Sequence, residues 1–379
     1  MHILVAPNAF KNSLTAMQAA EAISAGLMQS KLRCTTNCFP VGDGGDGTAA
    51  LLTDHFGGSI INTIVSDPLG RKIKSSFGLI ENGKTAVIEL ANASGLKLLR
   101  PGEYDPLHAN TYGTGELIGA ALDQPVNKII LCIGGSATID GGIGIMRALG
   151  AKFFNKEKTR IKIPAFLTEL SSINMDEIDE RLLNIEMIVL CDVENFLTGE
   201  NGAALIFGPQ KGAGEKDIVK LEAGMKKLNE VVLNQYGVDM SGVKHGGAAG
   251  GVAAGLHVLL RAELVNGIEY FLNTTGFDQA LKDADLVITA EGSIDEQTLK
   301  GKGPLGVARR GKQMAKPVIG IAGNVPMLPS QHMQEYFDVL LPVNNQVADV
   351  DEVLKNTYQN LVRTAVSVGN LIAIRNPDK

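Results

Sequence analysis

Eight side chains with charge or hydroxyl chemistry sit inside short glycine-rich segments. They are Asp43 and Asp46 in GDGGDG (Gly42–Gly47), Ser136 and Asp140 in GGSATIDGGIG (Gly134–Gly144), and Lys211 in GPQKGAG (Gly208–Gly214). Glu291 and Asp295 lie in AEGSID (Ala290–Asp295), and Lys302 in KGKGP (Lys300–Pro304). Glycine permits positive φ and close backbone approach, so successive free N–H groups can form a nest for an anion. Lysine adds positive charge for phosphate, and carboxylates can hold a divalent cation. The combination is what a polyphosphate accompanied by Mg²⁺ requires.

Taken singly, each residue also has a structural use. Gly134, Gly135 and Ser136 follow an apolar strand and are expected at or near a helix start, where amides and a hydroxyl bind phosphate or carboxylate. Ser136 and Thr138 could equally cap that helix. Asp140, in the same turn, could hold a metal or bind a hydroxyl. Asp192 directly follows the buried strand Ile185–Cys191, with Asn195 close by. It reads as a general base or as a strand-end turn former. Lys11, just past the first strand, could reach a carboxylate or phosphate at a topological switch point, which Glu291 and Asp295 flank from the other side.

Three textual matches carry less than they promise. GLIENGKT (Gly78–Thr85) matches a P-loop, but it leads into a strand where a P-loop needs a helix. Asn82-Gly83 within it is a hairpin turn signal. GDGGDG matches a dinucleotide fingerprint, yet Asp43 and Asp46 in that turn would repel a bare pyrophosphate. GKGPLG (Gly301–Gly306) also matches, but Pro304 and Leu305 already begin a helix.

These residues need elements to position them. His2–Ala6 is a short apolar run expected as a buried parallel strand. A helix follows, opened by a capping box at Thr15 and Gln18, with a core stripe of Ala16, Ala19, Ala20, Ile23 and Leu27. Cys34–Val41 and Thr48–Phe56 repeat the strand–helix pattern. From Ile60 the style becomes antiparallel, with a DPLG turn at Asp67–Gly70 and strands to Leu90. Parallel style returns with strands at Asp285–Thr289, Pro317–Ala322 and Val339–Val343, and a final helix starting near Asp349 or Asp351. Two early and three late strands imply an α/β, flavodoxin-like doubly wound sheet of order 2-1-3-4-5. The expected domains are 1–65 with 283–379, and an inserted mixed α/β domain over 66–282.

Composition narrows the class. Glycine is in excess at 44 of 379 residues without a collagen period. The net charge of −6 argues against a nucleic-acid or anionic-membrane surface. No apolar run is long enough to span a bilayer, and the first residues read as a strand, not a signal peptide. Cys34, Cys38, Cys132 and Cys191 form no CxxC pair and no zinc spacing. A reduced, cytoplasmic enzyme is the expectation.

Read in order, APNAFKNSLTA, GDGGDGT, SDPLGR, TYGTGELI, GGSATIDGGIGIMRALG, CDVEN, GAALIFGPQKGA, GGAAGG, AEGSIDEQTLKGKGPLGVA and PVIGIAG strongly resemble the class I glycerate kinases, over nearly the whole chain. The resemblance implies ATP- and Mg²⁺-dependent phosphorylation of the small molecule D-glycerate, with the active site in a cleft between the two domains. It favours 2-phosphoglycerate over 3-phosphoglycerate as the product. Under it, some of Asp43, Asp46, Glu291 and Asp295 supply Mg²⁺ ligands, and Asp192 takes the substrate hydroxyl proton. Lys11, Ser136 and Lys211 bind phosphate or the glycerate carboxylate, with Gly134, Gly135, Asp140, Asn195 and Lys302 completing the binding set. Two other classes stay open on the residues alone. One is a dinucleotide-dependent hydroxy-acid oxidoreductase; the other is a non-catalytic two-domain ligand-binding protein.

Overall fold

The computed structural model describes residues 1–296, 298, 301–344 and 349–375; Lys300 of the KGKGP segment lies outside them. The chain divides into two compact units, Met1–Asp43 with Ile268–Lys379, and Gly44–Gly267. The sequence pattern places the insertion over 66–282, whereas the compact units divide after Asp43 and after Gly267. Packing explains the earlier division at the N-terminal side. The helix Thr48–His55 lies against the sheet of the second unit, where a Cβ at Gly78 would collide with Thr53.

The first unit opens with β1 (His2–Val5) and β2 (Thr35–Cys38). The helix between them, Ala16–Gln29, starts at the expected capping box: Thr15 Oγ1 accepts from Gln18 N (3.2 Å) and Gln18 Oε1 from Thr15 N (2.9 Å). Its Ala16, Ala19, Ala20, Ile23 and Leu27 are buried.

The second unit carries the next strands. An antiparallel run of β3 (Ser59–Ser66), β4 (Lys72–Ile80) and β5 (Thr85–Glu89) is joined by β6 (Lys128–Cys132). A separate hairpin follows, β7 (Lys152–Asn155) with β8 (Leu170–Asn174), then β9 (Glu186–Cys191) and β10 (Glu263–Asn266). The main sheet has six strands in the order β10-β9-β6-β5-β4-β3, parallel from β10 to β5 and antiparallel beyond. Between β4 and β5, Glu81, Asn82 and Gly83 all take positive φ (53°, 56° and 80°). The P-loop-like text is therefore a hairpin turn. The β6 and β9 strands are buried almost throughout, as parallel strands covered on both faces must be.

The chain returns to the first unit with β11 (Leu286–Ser293), β12 (Val318–Asn324) and β13 (Val339–Pro342). All five strands are parallel, in the order β13-β12-β11-β1-β2. Counted within the unit this is 2-1-3-4-5, the doubly wound order expected from the sequence. The final helical region is two helices, not one. Asp349 caps Val350–Lys355 by accepting from Glu352 N (2.8 Å), and Thr357–Arg375 follows a break at Asn356. Leu361, Ala365 and Val368 of the second join the core with Ile23 and Leu27. Among the described residues, no helix is long and apolar enough to cross a membrane.

Candidate active site

In the first unit the functional side chains gather at the carboxyl ends of β1, β2 and β11. This is where a doubly wound sheet changes direction and binds ligands. Asn8 follows β1, Asp43 follows β2, and Glu291 sits in the last part of β11. Asp43 is buried, and its Oδ2 accepts from Asn8 Nδ2 (2.9 Å) and from Gly303 N (3.3 Å) at the start of the helix Gly303–Gln313. A Cβ at Gly303 would stand 2.8 Å from Asn8 Nδ2, so a larger residue there would push the Asn8 amide from its place beside Asp43.

Glu291 is 7% exposed, and its Oε2 is buried without a hydrogen-bond partner. Burial pushes its carboxyl up to about 8; the Asp43 charge adds to the rise, and Lys302 and Lys11 oppose it. Asp295 also adds to it, and its Oδ2 accepts from Ser293 Oγ (3.0 Å). A buried carboxylate oxygen with no donor, beside a second carboxylate, is what a hard divalent cation would satisfy. Asp43 and Glu291 thus fit the ion that the resemblance implies, with Asp295 nearby. Asp46 belongs to the other unit, and no three His, Cys, Asp or Glu side chains among the described residues form a ready metal cage.

The second unit holds a different centre. β6 ends at Cys132 and runs into Gly134-Gly135-Ser136. Lys211 is 2% exposed, and its Nζ donates to Ser136 Oγ (2.8 Å) and to the Thr138 carbonyl (2.7 Å). Burial pulls its ammonium down to about 7, against the opposing charges of Asp140 and Asp192. A lysine so perturbed by burial, with specific charge partners, is a candidate for a functional role. Thr138 Oγ1, in the same loop, is buried without a partner.

Several expectations change here. Gly134–Ser136 is not at a helix start, because the helix Ile143–Ala148 begins seven residues later, after Gly142. The loop is pinned instead by Gly134 N to Gly44 O (2.9 Å), Leu96 N to Gly135 O (3.0 Å) and Ala137 N to Ser94 O (2.9 Å). Asp140 is fully buried and faces inward: Oδ2 accepts from Thr111 N, Thr111 Oγ1 and Gly144 N, and Oδ1 from Gly142 N. Asn195 Nδ2 donates to Asn201 O (3.0 Å), which ties its own loop. Asp192 lies half-buried just past β9, in electrostatic reach of Lys211.

One cluster escaped the sequence. Asp46 faces Lys97 (3.5 Å), and Lys97 Nζ donates to Glu89 Oε1 (3.0 Å). Glu89 is 3% exposed, and its Oε2 accepts from Gly47 N (2.9 Å). Burial raises the Glu89 carboxyl and Lys97 draws it back. A Cβ at Gly135 would stand 2.8 Å from the Asp46 carboxylate, so this ion-paired group abuts the Ser136 loop. The available signal was Glu89 itself, a carboxylate closing an otherwise apolar buried strand.

A doubly wound sheet with buried carboxylates at its switch point, and a second α/β unit holding a buried lysine in a glycine–serine loop, define an α/β enzyme built to handle small anionic substrates. Residues 3–373 match the model of the glycerate kinase family. The chain is 42% identical over 376 residues to a glycerate kinase of Haemophilus influenzae, covering 99% of this chain and 100% of that one. It is 40% identical over 375 residues to an Escherichia coli protein named glycerate 2-kinase, covering 99% and 98%. A crystal structure of a glycerate kinase 2 from Salmonella typhimurium LT2 superposes with a TM-score of 0.80 at 38% identity, covering 100% of this chain and 99% of that one. The chain belongs to the glycerate kinase family. It is therefore a phosphotransferase, and neither the oxidoreductase nor the non-catalytic alternative describes it.

Proposed function

We propose that the protein transfers the γ-phosphoryl group of ATP to the 2-hydroxyl of D-glycerate in the presence of Mg²⁺, as a cytoplasmic enzyme. The observation that carries this reading is the buried Lys211 ammonium, held by Ser136 Oγ and the Thr138 carbonyl with Asp140 and Asp192 as its counter-charges. A desolvated cation of this kind has use for an anion of the substrate or of the transferring phosphoryl group. Lys211 and Ser136 receive that anion, and Asp192, in the charge field of Lys211, accepts the hydroxyl proton. Lys11 and Lys302, which oppose the rise at Glu291, serve phosphate in the first unit. Asp43 and Glu291 would hold Mg²⁺, with Asp295 beside them; when bound, the ion neutralises phosphate charge. Asp46, in the second unit, faces Lys97 at 3.5 Å beside the Ser136 loop, and its Oδ1 has no hydrogen-bond partner.

The E. coli relative's name supports the 2-hydroxyl as acceptor. The test combines protein, D-glycerate, ATP and Mg²⁺, and couples the product to enolase without a mutase. Direct enolase turnover is expected. ADP formation with enolase turnover only after a mutase is added would overturn the regiochemistry, and no glycerate-dependent ADP would overturn the reading.

A further inference from the structure

Asp140 has no exposed surface, and four donors fill its carboxylate: Thr111 N (2.8 Å), Thr111 Oγ1 (2.8 Å), Gly144 N (3.1 Å) and Gly142 N (3.0 Å). A carboxylate offers about four acceptor positions, so none is left for a ligand. Its partners are informative. Thr111 directly precedes the helix Tyr112–Leu122, and Gly144 lies in the helix Ile143–Ala148. Thr111 Oγ1 also accepts from Ile145 N (3.0 Å). The carboxylate therefore fastens two helices to the loop that carries Ser136 and Thr138, the two residues that grip Lys211.

Lys211 is buried, and its two hydrogen-bond acceptors are neutral. A buried ammonium needs negative charge nearby to stay charged. The groups facing it are Asp140 from its own loop and Asp192 from the end of β9. Arg147, on the helix Ile143–Ala148, feels the Asp140 charge as well, and its guanidinium stands over the Tyr112 ring.

We propose that Asp140 is the positioning residue for Lys211: it touches no ligand, holds the 134–144 loop in register, and supplies the charge that keeps the buried ammonium protonated for its anion. This rests on the reading that Lys211 binds the anion. If so, kcat/KM falls as pH rises through the titration of Lys211 in the free enzyme, near the value of about 7 set by its burial. Removing an opposite charge lowers an ammonium's pKa. Asp140→Asn should therefore move the alkaline limb of the kcat/KM profile down by about one pH unit or more. Thr111→Val cuts the Oγ1 hydrogen bond to Asp140 and the Ile145 N bond to Thr111 Oγ1 but leaves the Asp140 charge, so it should lower the rate or the stability and leave the limb in place.

The two readings fail differently. Lys211→Met is expected to lower kcat/KM by about 10²-fold or more, and a loss below threefold would overturn the anion-binding role. With Lys211→Met inactive, an unmoved limb in Asp140→Asn would overturn the role of Asp140 alone. So would a limb shift in Thr111→Val as large as that in Asp140→Asn. Should Asp140→Asn fail to fold, Arg147→Met decides the question. Deleting the cation that competes for Asp140 should move the limb upward, and an unmoved limb there would overturn the proposal.

Discussion

Glu291 and Asp192 are the residues on which the chemistry can be tested most directly. The Glu291 carboxyl is raised from its ordinary value of 4.5 to about 8 by burial and by Asp43. The folded protein thus holds a proton on Glu291 across this range that the unfolded chain releases. Linkage then makes this group's contribution to stability greatest below about pH 4.5, and it is lost as pH rises toward 8. Glu291→Gln, which keeps the shape without the charge, should flatten the fall in Tm of the metal-free protein between pH 5 and pH 8, as followed by calorimetry. Mg²⁺ should restore the wild-type Tm at pH 8 and do little for the variant. Equal Mg²⁺ effects on both would remove Glu291 from the metal site. Asp192→Asn should lower kcat by about 10²–10⁴-fold if Asp192 accepts the hydroxyl proton. A loss below threefold in a steady-state assay would end that assignment.

At the scale of elements, the close approach of the helices Ala16–Gln29 and Thr357–Arg375 turns on Gly26. Glycine within a helix ordinarily costs about 0.5–1 kcal/mol relative to alanine, so Gly26→Ala would stabilise an isolated helix. Here a Cβ would collide with the Val362 carbonyl and approach Ala365 Cβ at 2.6 Å. Backbone contact of that kind cannot be relieved by a rotamer change, and overpacking costs about 1–3 kcal/mol. The steric term wins, and Gly26→Ala should lower unfolding free energy by about 1–2 kcal/mol in urea titrations; a gain in stability would show that the two helices can separate cheaply. The GGAAGG segment makes the same argument by conformation. Ala249, Gly250 and Gly251 all take positive φ, and Gly250 packs so closely on Thr138 that a Cβ there would collide with its carbonyl. The strands, the first helix and its capping box were legible because period, caps and apolar runs are local signals. The break at Asn356 was not, since the apolar face continues across it from Leu354 to Leu361.

At the scale of the molecule, each unit has cores of its own. Ile3, Ile23, Ile288 and Ile321 share one in the first unit, while Ile88, Leu117, Leu131 and Val189 share another in the second. The second unit is continuous in sequence and carries a complete six-stranded sheet. Residues 44–267 expressed alone should therefore fold cooperatively, with a sigmoidal unfolding curve by circular dichroism, and should lack kinase activity because Glu291, Lys11 and Lys302 are missing. A non-cooperative transition would show that the unit depends on the rest of the chain. By itself the sequence determined the kind of chemistry, the doubly wound sheet with its strand order, and the family, because glycine-rich motifs and apolar strands are written in adjacent residues. Only the tertiary structure decided which charges meet. Asp140 turned inward onto Thr111, Asp46 paired with Lys97, and Glu291 was left buried beside Asp43. Burial and the pairing of residues far apart in the chain set each charge's role, and neither is fixed by a residue's neighbours in sequence.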